Sequence, residues 1–389
     1  SRGLGDVYKR QDPEQKKKIY AQIDKVSQQA AEFAIPNEYD KMISSLGAKG
    51  TNAYTSNEQT VYVNNIPSNE LEKWLMVESE RFRKLVLRLF HTELETVYEE
   101  FNMSQDRDGS KAWKAFMKEM FKNHPYGQQT TIGEGEHLKN PSMVNIHDYF
   151  DKYYVPNNMA ICLAGDLDPD KTIILIEKYF GKMEPKPLNQ PTFESEKEIT
   201  KPVKVEVTGQ EAASMMLGYR FPGTNSQEIL IVKMIDAILT NGQAGLIDLD
   251  LVQQQKVLDA GSFVYDLTDY SMHGLWADPR EGQTLEEAQQ LLLNQIERIK
   301  AGDFEDWLLE AIINDKRLSQ IQLFESNYGR ADAYVETFTT FKDWGKYLNE
   351  INEMAKITKS QIVKFANQFY NDNYVALFKH QGESDDAYK

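Results

Sequence analysis

Cysteine is nearly missing from this chain. The single thiol, Cys162, excludes an internal disulfide and any zinc site built on several cysteines. It lies in the apolar run from Met159 to Ala164 and reads as an inert core thiol. Histidine is also sparse: His91, His124, His137, His147, His273 and His380 are the full set, and none has a second histidine four residues away. No apolar run is long enough to span a bilayer, and no signal-peptide hydrophobic stretch is present. A phosphate-binding glycine loop and a Gly-x-Ser-x-Gly nucleophile elbow are both lacking. Basic residues are outnumbered, 44 Lys and Arg against 60 Asp and Glu, for a net charge of −16. That balance, with no basic or aromatic stripe, argues against nucleic acid or an anionic membrane surface as a partner. The compartment stays open.

What is present is a chain of 389 residues, enough for two ordinary domains. Residues 1–11 show no period and read as a non-native scar. A helix is expected from Asp12, as N-cap with Pro13 in the first turn, to about Phe33, its stripe formed by Ile19, Ile23, Val26, Ala30 and Phe33. A short helix over 37–45 and a strand region over 51–66 follow. Ser68 is placed as the N-cap of a long helix to about Leu85. The stretch from Phe90 to Asn102 is also helical, with Leu94, Val97, Tyr98 and Phe101 at helical spacing. On it Glu93 and Glu100 stand seven residues apart, nearly two turns, so both carboxylates share one face. Trp74, Phe82, Phe90 and Tyr98 read as core. Further helices are expected over 112–123, from Pro141-Ser142 to Tyr154, and over 170–180, with a strand from Met159 to Ala164 between the last two. Asp166-x-Asp168-x-Asp170 lacks the glycine and the terminal glutamate of a calcium loop and reads as a helix cap.

Residues 185–202 carry Pro185, Pro187, Pro191 and Pro202 among charges and read as a linker. The first domain is placed at 12–184 and the second at 203–389. The second repeats the first: Ile146-x-x-Tyr149-x-x-x-Tyr153-Tyr154-x-x-Asn157 recurs as Ile362-x-x-Phe365-x-x-x-Phe369-Tyr370-x-x-Asn373. So long an offset means two similar domains rather than a solenoid. Strands expected at 203–207 and 214–219 would have counterparts at or before the chain's first residues, so the first domain is expected to be incomplete at its N-terminus.

Taken in order, Gly50-Thr51-Asn52-Ala53-Tyr54-Thr55-Ser56, Glu93 through Glu100, His124-Pro125-Tyr126-Gly127, Tyr153-Tyr154-Val155-Pro156-Asn157-Asn158-Met159, Gly165-Asp166 and Tyr179-Phe180-Gly181 resemble the insulinase-like (pitrilysin, M16) zinc metallopeptidases. Asn241-Gly242 and Gly261-Ser262-Phe263 match more loosely in the second half. The resemblance implies an α+β fold of two tandem similar domains, each a mainly antiparallel sheet with helices packed on one face. It implies Zn2+ and a zinc-dependent endopeptidase that hydrolyses peptides by metal-activated water. Glu100 would be the third zinc ligand and Glu93 the carboxylate that orients a ligand histidine. Asn52, Ala53 and Tyr54 would form an edge strand pairing with the peptide backbone. A C-terminal half or a second subunit would close a chamber around the peptide, with the second domain as chamber wall.

One departure is central. The family's His-x-x-Glu-His is absent, and His91-Thr92-Glu93-Leu94-Glu95 only mimics its spacing. Either the motif lies upstream of this chain, or the helix from Asp12 to Phe33 is the ligand helix and has lost its ligands. The first account is preferred because Glu93 and Glu100 both persist, and a buried carboxylate pair without a cation is costly. Alone, the chain is expected to bind zinc weakly and cleave little. The competing reading is a catalytically inactive homologue acting as a peptide-binding or partner subunit.

Overall fold

The computed structural model describes residues 13–87, 89–139, 141–189 and 191–383. The expected scar at 1–11 and the Asp12 cap lie outside the described residues. The first half runs α1 (Pro13–Ala31), α2 (Glu38–Ser45), β1 (Lys49–Thr55), β2 (Thr60–Asn65), α3 (Leu71–Arg83), α4 (Phe90–Asp106), α5 (Asp108–Met120), α6 (Pro125–Gln128), α7 (Gly135–Lys139), α8 (Met143–Tyr153) and α9 (Pro169–Phe180). The second half runs β3 (Val203–Gly209), β4 (Ser214–Pro222), α10 (Glu228–Leu239), a π-helical turn (Asp248–Val252), β5 (Asp259–Tyr265), β6 (Tyr270–Asp278), α11 (Leu285–Ala301), α12 (Trp307–Glu325), α13 (Asn327–Thr339), α14 (Trp344–Met354), α15 (Lys359–Phe369) and β7 (Tyr374–Gln381).

The α+β class is as expected, with two sheets. In the second half five strands are ordered β3-β7-β4-β6-β5, antiparallel except for the parallel β3–β7 pair. Strand alternation divides their side chains. One face carries Met215, Leu217, Tyr219, Leu275 and Phe378 into a core shared with α10, α11 and α15. The other carries Val205, Val207, Met272, Val375 and Leu377 against Ala112, Phe116 and Met120 of α5. A helix from the first half therefore covers the second sheet's opposite face. Thr358 and Gln361 form a capping box at the start of α15. Asp168 caps α9, its side chain accepting the Lys171 N–H at 3.2 Å.

Two local expectations are overturned. Ser68 is no N-cap: Ser68–Glu70 is a 3-10 turn, and α3 starts at Leu71 without a side-chain cap. The Asn69 and Glu70 side chains bond each other instead. Residues 159–164 form no strand. Their repeat equivalent, β7, lies between β3 and β4. The first half has no counterpart of either strand among the described residues, and an extended segment without a ladder partner is not a strand.

Candidate functional site

Helix α4 carries the two carboxylates on one face as the sequence implies. Its Phe101 ring packs on Gly135 of α7, where an added Cβ would come within 2.9 Å. Glu93 and Glu100 are both exposed. The expected burial of the pair is thus overturned: each stays in water, and no desolvation cost calls for a cation. Trp74, Phe82, Phe90 and Tyr98 are half-buried rather than deep core.

Strand β1 pairs only with β2, with Asn52 opposite Val63, Ala53 opposite Tyr62 and Tyr54 opposite Val61. Its other edge has no strand beside it among the described residues. Asn52 and Ala53 are exposed and Tyr54 is half-buried. The Ala53 N–H donates to Asn52 Oδ1 at 2.9 Å. The Tyr54 hydroxyl donates to Asp332 Oδ1 of α13 at 3.3 Å. Burial first, then the Asp332 charge, push that hydroxyl up to about 12. No hydrogen bond or ion pair among the described residues joins Glu93 or Glu100 to β1.

The hairpin turn after β1 is tied to distant elements. Glu58 Oε1 accepts the Thr268 N–H at 2.9 Å and also the Tyr126 hydroxyl. Asn57 Oδ1 accepts the Tyr265 hydroxyl at 3.0 Å, and Gln59 Oε1 accepts the Thr339 hydroxyl at 2.7 Å. Sequence reasoning missed these residues because their partners in the second half lie more than two hundred positions away and no local period marks them.

Among the histidines, His124 is buried, 2% exposed. Its Nδ1 accepts the Tyr126 N–H at 3.2 Å, so in the neutral ring Nε2 carries the proton and donates to Asp269 Oδ2 at 3.3 Å. Both nitrogens are committed, and His124 offers no lone pair to a metal. Glu196 fastens the linker beside it: Oε1 accepts the N–H groups of Asn123 and His124 at 2.6 and 2.8 Å, and Oε2 pairs with Arg220 at 3.3 Å. His137 and His147 are exposed. His273 is fully buried, Nδ1 2.7 Å from the Tyr370 hydroxyl and Nε2 3.3 Å from Asp236 Oδ1. Burial alone raises the Cys162 thiol above its ordinary value. No group of three His, Cys, Asp or Glu among the described residues could hold a metal ion. No helix among them is long and apolar enough to cross a membrane.

Comparison with known proteins agrees with this fold. A family model described as "Insulinase (Peptidase family M16)" matches residues 18–133, and one described as "Peptidase M16 inactive domain" matches 144–315. The chain is 22% identical over 343 residues to a zinc protease, PqqE, of Helicobacter pylori, covering 86% of this chain and 77% of that protein. It is 25% identical over 349 residues to the mitochondrial-processing peptidase subunit beta of Saccharomyces cerevisiae, covering 84% and 74%. A crystal structure of a protease from Helicobacter pylori superposes with a TM-score of 0.82 at 21% identity, covering 89% of this chain and 85% of that one. The two matched models together reach into both halves of the chain, and the chain belongs to the insulinase-like M16 peptidase family.

Proposed function

We propose that this chain is the peptide-engaging part of a zinc-dependent endopeptidase. The observation that carries this reading is the open edge of β1: a strand with one partner presents backbone donors and acceptors to an extended peptide, whatever its side chains. Asn52, Ala53 and Tyr54 would line that edge. The zinc-protease names of the relatives support the peptidase class.

The donor set does not fit a complete zinc centre. Glu100 would be one ligand, with Glu93 on the same helix face to orient another, but a single carboxylate does not hold Zn2+. The described residues supply no third donor nearby. Peptide cleavage by this chain alone is therefore not expected. A second reading, a catalytically inactive peptide-binding or partner subunit, is favoured by that same donor count.

The test is peptide binding and zinc titration on the purified chain, with Ala53→Pro and Glu100→Gln. A proline at 53 deletes the N–H and bars ladder pairing. The reading expects a labelled unstructured peptide to bind the wild type and to bind Ala53→Pro much more weakly. Equal binding by both, or none, overturns it. Glu100→Gln lowers the weak zinc uptake if Glu100 is a ligand, and leaves it unchanged under the second reading.

A further inference from the structure

The β1–β2 turn meets the rest of the molecule through three consecutive side chains. Asn57 reaches Tyr265 at the end of β5, Glu58 reaches Thr268 in the β5–β6 turn together with Tyr126 of α6, and Gln59 reaches Thr339 at the end of α13. Tyr54, on β1 itself, reaches Asp332 in the same α13. Three of these elements belong to the second half. A two-stranded hairpin is marginally stable alone in water and twists freely. β1 has no second strand neighbour among the described residues, so these side-chain bonds fix the orientation of its free edge. Glu58 is central, because one carboxylate oxygen accepts donors from two separate elements. The Tyr126 hydroxyl is raised above its ordinary value, by burial first and by the Glu58 bond second, so it stays protonated and donates. Bonds of this kind to a carboxylate are the stronger class.

We propose that Glu58 is a positioning residue for peptide capture, locking the β1–β2 hairpin to the second half so that the free edge of β1 is held ready for an extended peptide. This rests on the reading of β1 as the peptide-pairing strand. It gives the second half a defined part in capture: it holds the strand and need not touch the peptide at that edge.

The experiment uses the full chain with Glu58→Leu and Glu58→Gln, a labelled unstructured peptide as probe, and amide hydrogen exchange on the same samples. Losing a charged hydrogen bond corresponds to about tenfold or more in affinity. Glu58→Leu is therefore expected to raise Kd by about that factor. It is also expected to speed exchange over residues 49–65 while leaving the five-stranded sheet unchanged. Glu58→Gln keeps an acceptor oxygen and is expected to stay within about threefold of the wild type. A merely structural Glu58 would alter exchange and leave Kd alone, so an unchanged Kd for Glu58→Leu overturns the inference, as does a Gln variant as weak as the Leu variant. Failure of the underlying reading looks different: Ala53→Pro then binds as well as the wild type.

Discussion

Gly218 lies directly under the Phe116 ring. A Cβ built at Gly218 would come 2.5 Å from Phe116 Cζ and 2.6 Å from Met120 Cε. This missing side chain in β4 lets α5, a helix of the first half, close onto the sheet of the second. Phe116 is fully buried there. Joining the halves is thus a packing event, with close complementarity at one glycine.

Overpacking this contact should loosen the seam. Gly218→Val is expected to lower stability by about 1–3 kcal/mol through forced displacement of α5. Phe116→Ala is expected to cost about 3–5 kcal/mol through the cavity it leaves. Because the two residues touch, Gly218→Val combined with Phe116→Ala should be less damaging than the sum of the single changes. Chemical denaturation of the four proteins checks this, and strict additivity would argue against the contact.

Glu196 fastens the proline-bearing segment 185–202, which the sequence reads as a linker, to Asn123, His124 and Arg220. Its side chain is 3% exposed, and its partner Arg220 is 10% exposed. Arg220 also donates to the carbonyls of Met120 and Lys197. Glu196→Ala would strand a buried guanidinium and two backbone N–H groups. The expected loss is about 3–5 kcal/mol. Denaturant midpoints measure it, and limited proteolysis should show new cleavage within residues 191–199.

Much of this fold could be read from local pattern. The capping box at Thr358 and Gln361, the Asp168 cap and the helices α3, α4, α5, α8 and α9 follow from periods and caps that act over a few residues. Strand 159–164 failed because a strand depends on its neighbours as well as on its own apolar run. The candidate site divides the same way. Glu93 and Glu100 share a face because seven residues nearly close two helical turns, which is local. Their exposure is not local, since it depends on what packs against α4. Glu58 carries no local signal, because Thr268 is 210 positions away.

Cys162 should be slow to react while the chain is folded. Burial raises its thiol above the ordinary value, so little thiolate is present near neutral pH. Alkylation of the native chain is expected to be slower than that of the urea-unfolded chain, with the difference narrowing as pH rises. Equal rates at neutral pH would show that residues 159–164 leave the thiol open to solvent.

His124 should make stability fall on mild acidification. Burial lowers its pKa below the ordinary 6.5, outweighing the opposing pull of Asp269, Glu196 and Glu58. The folded state therefore binds this proton less readily than the unfolded chain does. The stability carried by the neutral ring is fully present above 6.5 and is lost as pH falls from there through the lowered folded-state value. His124→Asn keeps an oxygen that can accept the Tyr126 N–H and removes the titration. The wild type should lose denaturant resistance between about pH 7 and pH 5, and the Asn variant should lose less over the same interval. Parallel pH dependence in the two proteins would assign the acid sensitivity to groups other than His124.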